Sequence, residues 1–82
     1  MKLEYSVLVK WSDEDQAYLV FIPEFGPHPL THGDSYRQAF KHALEVMETL
    51  VEVYQEDGRT LPRPRKYVDT QSQSKRIPAK SA

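Results

Sequence analysis

The chain has 82 residues, sets 11 lysines and arginines against 12 aspartates and glutamates, and contains no cysteine. That length allows one small domain burying about 60% of its unfolded surface. The missing cysteines exclude disulfides and thiolate metal sites. No run of about 18 apolar residues and no secretory pattern occurs, so no membrane span is expected and a cytoplasmic location follows. The net charge of −1 hides a division along the chain. Residues 1–58 hold four basic residues against eleven acidic ones, whereas residues 59–82 hold seven basic residues against Asp69 alone. An acidic body carries a basic tail.

Lys2 to Trp11 alternates, with Leu3, Tyr5, Val7, Val9 and Trp11 on one side and Lys2, Glu4, Ser6 and Lys10 on the other; Leu8 is the exception. This predicts a half-buried strand. Ser12 to Gln16 is a polar turn, and Ala17 to Ile22 is a second strand apolar on both faces. Strand, short turn and strand make an antiparallel hairpin. Three prolines and Gly26 between Pro23 and Pro29 exclude regular pairing, and Pro29 to His32 leaves room for one more short strand.

A helix follows. Ser35 is its expected N-cap, bonding the backbone N–H of Gln38, whose side chain can reach back to the N–H of Ser35. Gly33 is free to take positive φ before the cap, and Asp34 places negative charge at the positive end of the helix dipole. Apolar residues then recur at Tyr36, Phe40, Ala43, Met47, Leu50 and Tyr54, widened by Ala39, Leu44, Val46 and Val51. The spacing predicts one amphipathic helix of about twenty residues, ended by Gly58 and barred from resuming by Pro62 and Pro64. The fold class is therefore α+β: a small antiparallel sheet of three strands, or four if Tyr67–Thr70 pairs on an edge, with one long helix on one face, in the order β-β-β-α(-β). Residues 1–64 form the domain, and residues 65–82 are a basic polar tail, extended or partly disordered.

Several of these segments form a recognisable set. Trp11-Ser12 precedes an acidic turn, the apolar second strand closes in Pro23-Glu24, and Thr31-His32-Gly33-Asp34-Ser35 leads into a helix containing Ala39 and Ala43. Gly58-x-x-Leu61-Pro62-x-Pro64 follows. Over roughly residues 3–64 the chain resembles the HicB-like antitoxin family of toxin–antitoxin systems. The resemblance implies a partial ribonuclease-H-like fold and a protein that binds and neutralises HicA, a small RNA-cleaving toxin. Where family members have Pro-Gly-Cys or Pro-Gly-Ala, this chain has Phe25-Gly26-Pro27-His28. The 18 residues after Pro64 are too few and too polar for the DNA-binding module many members carry, so direct DNA binding is not expected.

The residues give no reactive centre. Two-metal nucleases need several carboxylates converging from strand ends and helices, and the first strand offers only Glu4. Glu45, Glu48 and Glu52 share a helix face with no evident fourth ligand, and His28, His32 and His42 lack zinc-ligand spacing. Ser6, Ser12 and Ser35 have no glycine elbow or paired histidine, and there is no phosphate loop. No catalytic residue, metal or cofactor is expected. The acidic body instead matches a basic, RNA-binding partner. Asp13, Glu14, Asp15 and Glu24 are the candidate charges for a HicA-like toxin, with Trp11 and Phe25 as aromatic anchors. The alternatives are a regulatory protein contacting nucleic acid through Arg63, Arg65, Lys66, Lys75 and Arg76 of an oligomer's tails, or a stand-alone family member without a toxin. One helix covers one sheet face, so a homodimer joined at a sheet edge or face, or a higher homo-oligomer, is expected to hide the other.

Overall fold

A computed structural model describes residues 3–68. The order is β1 (Leu8–Ser12), β2 (Ala17–Phe21), a 3-10 turn (Pro23–Phe25), β3 (Thr31–Gly33) and α1 (Tyr36–Glu56). The three strands form one antiparallel sheet in the order β1-β2-β3. The register sets Val9 opposite Val20 and Trp11 opposite Tyr18, with Tyr18 in turn opposite Gly33. The expected α+β arrangement of a three-stranded antiparallel sheet and one long helix is present.

β1 begins at Leu8 rather than Lys2, and the cause lies in its neighbour. β2 ends at Phe21 because Pro23 has no N–H to continue a ladder and opens a 3-10 turn. Residues 3–7 therefore have no strand beside them, and the backbone N–H of Ser6 goes to the Glu24 carboxylate instead. β3 is three residues long, and Leu30 just before it donates its N–H to the Val20 carbonyl at 2.8 Å. Tyr67 and Val68 are exposed and form no fourth strand; Asp69 and Thr70 lie outside the described residues, as does most of the tail.

α1 lies over β3 and β2 and barely reaches β1. Its buried residues are Ala39, Ala43, Met47 and Val51, a single row at four-residue spacing. Ala39 and Ala43 are fully buried with Val20, and Val7, Val9 and Tyr18 pack against that cluster. Two alanines in succession let the helix backbone come close to the sheet, and Gly33 completes the approach. A Cβ on Gly33 would stand 2.5 Å from the backbone nitrogen of Ala39. Gly33 thus serves close contact rather than positive φ, which belongs to Gly26 and Gly58. Gly58, at φ 69°, ends the helix as expected.

The start of α1 holds the expected cap. Ser35 Oγ accepts from the Gln38 N–H at 3.0 Å, while Gln38 Oε1 accepts from the N–H of Asp34 at 2.6 Å, one residue earlier than the usual box. Ser35→Ala is expected to cost about 1 kcal/mol, read from the urea midpoint, with Ser35→Asp close to wild type.

Candidate functional site

The candidate partner residues divide between the two ends of the sheet. At the hairpin end, the turn between Ser12 and Ala17 folds on its own side chains. Ser12 Oγ donates to Asp15 Oδ2 at 2.9 Å and accepts from the Asp15 N–H at 3.1 Å, while Gln16 Nε2 donates to the Asp13 carbonyl. Gln16 takes φ 52°, the left-handed position that closes the turn. Trp11 donates its indole N–H to Asp13 Oδ1 at 2.7 Å, so the ring is held in place although 48% exposed. It meets Tyr18 edge to face at 4.9 Å, and Tyr18 meets Tyr36 at 4.4 Å. Trp11, Asp13, Glu14 and Asp15 therefore form one exposed surface: three carboxylates beside an oriented indole.

Glu24 and Phe25 lie at the other end, past the end of β2, and do not join that cluster. The Glu24 carboxylate is occupied internally. It accepts from the Ser6 N–H at 3.1 Å, the Ser6 hydroxyl at 3.0 Å and the Arg65 N–H at 2.7 Å. Phe25 sits between Tyr5 and Tyr54 in edge-to-face contacts of 4.9 and 5.5 Å, and the Arg59 guanidinium covers the Tyr54 ring at 4.1 Å. Tyr5 Oη donates to the Pro62 carbonyl at 2.7 Å, and Lys66 Nζ pairs with Glu4 at 2.9 Å. These contacts bind the segment after the helix to residues 4–6. Glu24 and Phe25 are parts of a clasp, apart from the hairpin cluster with which they were grouped.

Partial burial pushes the Glu24 carboxyl up, but hydrogen bonds from the N–H groups of Arg65, Glu24 itself and Ser6, with the Ser6 hydroxyl, outweigh it and hold the pKa below the ordinary value. A carboxyl that titrates lower in the folded state stabilises fully above its unfolded pKa, and that contribution is lost as pH falls through the folded one. Burial first, then the charge of Glu24 and the neighbouring Tyr54, raise the Tyr5 hydroxyl above its usual value, and that hydroxyl donates to the Pro62 carbonyl. Glu24→Gln is expected to flatten the acid limb of a stability-against-pH curve and to free the Arg65 amide for hydrogen exchange. An unchanged acid limb would show that the clasp does not contribute.

The basic candidates are likewise divided. Arg63 and Arg65 are exposed, Lys66 is engaged with Glu4, and Lys75 and Arg76 lie outside the described residues. His42 Nδ1 lies 2.6 Å from the His32 carbonyl and ties the helix to β3. Among the described residues no three histidine or carboxylate side chains converge on a point that could hold a metal ion. What the arrangement offers is charge and apolar area.

Two apolar surfaces complete the picture. On the sheet face away from α1, Leu19 and Leu30 help line a shallow open pocket of about 450 Å³ with Ala17, Pro29, Thr31 and His32. On the helix, Tyr36, Phe40 and Leu44 are 64%, 52% and 44% exposed. Of the expected apolar stripe Ala43 and Met47 are buried, but its first turn faces outward: Tyr36 and Phe40, read as core residues, are exposed, and Ala39 takes their place against the sheet. The two small residues were the available signal, since only small side chains let a helix backbone lie against a sheet. Comparison of the chain with models of known protein families, with characterised proteins and with solved structures finds no match.

Proposed function

We propose that this protein is a non-catalytic, HicB-like antitoxin that occludes a small basic RNA-cleaving toxin of the HicA kind. The carrying observation is the hairpin end, where an oriented, half-exposed Trp11 stands among Asp13, Glu14 and Asp15. An RNA-binding protein must present basic surface to phosphate. A rigid acidic turn competes for that surface and gains association rate from its charge, while an exposed tryptophan supplies the kind of anchor that dominates binding energy. The motif resemblance over residues 3–64 supports the same reading. Among the described residues the exposed arginines Arg63 and Arg65 carry less charge than the acidic hairpin end, which favours a basic protein over nucleic acid as the primary partner.

The test is co-expression with the product of an adjacent small basic reading frame, scored by co-purification and by rescue of growth. Both are expected with the wild-type chain. Trp11→Ala combined with Glu14→Lys should weaken binding about 100-fold, in keeping with the loss of a hot spot plus a reversed rim charge. Glu14 is chosen because Asp13 and Asp15 also build the turn. Neither co-purification nor rescue by the wild-type protein would remove the antitoxin reading.

A further inference from the structure

The outer shoulder of α1 carries a charge layout that works against the helix on which it sits. The first turn has no acidic residue and the last turn no basic one. Arg37 and Lys41 lie towards the end whose dipole charge is positive, Glu48, Glu52 and Glu56 towards the end whose charge is negative, and Glu45 stands just before the middle. Beside the exposed ridge of Tyr36, Phe40 and Leu44, the side chains of Arg37, Lys41, Glu45 and Glu48 fall within one arc of about 80°. All four are exposed, and the only ion pair among the described residues is Lys66 with Glu4.

We infer that the shoulder of α1 is an interface with a second copy of this chain, packed helix against helix in antiparallel fashion about a two-fold axis near residues 42 and 43. A two-fold interface is self-complementary, so whatever lies at one distance before the axis meets what lies at the same distance after it. Arg37 then faces the partner's Glu48, Lys41 faces the partner's Glu45, and Phe40 packs against the partner's Leu44. All three pairings call for nearly the same axis, which a chance scatter of charges would not do. The antiparallel arrangement also sets each positive helix end beside the other's negative one, offsetting the unfavourable layout within a single helix.

The sheet is a poorer candidate for this partner. Its open face is interrupted by Lys10 opposite Leu19 and by His32 on the far side of Leu19, and Leu19 and Phe21 are already half-buried.

Sedimentation equilibrium on the full chain, from low to high micromolar concentration, tests the assignment without any toxin, so its outcome is independent of the antitoxin reading. A dimer is expected. Phe40→Glu, or Leu44→Lys as a second variant, should give a monomer with unchanged helical circular dichroism. Arg37→Glu should raise the dimer dissociation constant about tenfold even though it improves the charge at the helix start, and Glu48→Arg should do the same. The double variant Arg37→Glu/Glu48→Arg should return to near wild-type affinity, a recovery that only this register predicts. A monomeric wild type, a dimer indifferent to Phe40→Glu and Leu44→Lys, or a double variant as weak as the singles would each overturn the proposal. So would loss of toxin binding by Phe40→Glu with the oligomeric state unchanged, since the ridge would then belong to that partner.

Discussion

Gly33→Ala is expected to destabilise the protein by about 3 kcal/mol, at the upper end of what one methyl group costs in a closed space. The backbone of Gly33 is in an ordinary strand conformation, so alanine meets no torsional objection there. The entire cost is steric: the new Cβ would lie 2.5 Å from Ala39 N, 2.7 Å from Ala39 Cα and 2.9 Å from the Gln38 carbonyl carbon. None of these is the far end of a flexible side chain, so the first turn of α1 must lift away from β3. For a domain of this size the melting temperature should fall by about 10–20 °C. Gly58→Ala is the contrasting variant. Nothing stands near its Cβ, but φ is 69°, so the expected cost is about 1 kcal/mol of backbone strain. Equal effects of the two substitutions would show that the helix does not rest on Gly33.

Ile22→Ala should be the most damaging simple truncation, at about 2–5 kcal/mol in a urea titration. Ile22 is fully buried and is the largest such side chain together with Val20. It continues the helix-facing set of Tyr18 and Val20 just where the sheet gives way to the 3-10 turn, so no strand can slide in to fill the space. Against a total stability of about 4–12 kcal/mol for a chain this long, that loss leaves a substantial unfolded population. Leu8→Ala, removing a side chain that is 46% exposed, should cost well under half as much. If both truncations had similar effects, the core would be centred elsewhere.

The elements that could be read from residues alone were those governed by local rules. The cap at Ser35, the stop at Gly58 and the alternation through Val7 and Val9 each follow from neighbours within a few positions, and the structure places them as expected, whereas the second strand, apolar on both faces, did not show that Val20 and Ile22 would face the helix. Periodicity could not say which of two adjacent rows on α1 would be buried, because the rows through Tyr36 and through Ala39 are both apolar. Hydropathy favours the larger residues; geometry favours the smaller, since the helix must descend onto Gly33. The candidate site divided for a related reason. Asp13 and Glu24 are close in composition and sequence, but β2 lies between them and carries Glu24 to the opposite end of the sheet. The clasp itself depends on Pro62 and Arg65 returning to Tyr5, Ser6 and Glu24, contacts spanning up to 57 positions, which no short-range pattern encodes.

β1 pairs on one side only, with β2, so its outer rim leaves backbone donors and acceptors unclaimed along Leu8–Ser12. Such a rim is a template for uncontrolled stacking of chains into fibrils. Leu8, Val9 and Trp11 would make it an adhesive one, and the single cation among them, Lys10, is exposed at the middle of the strand. A lysine at that place is the kind of charge that blunts an open edge, so Lys10→Val is expected to lower the concentration at which the chain begins to aggregate, read by light scattering.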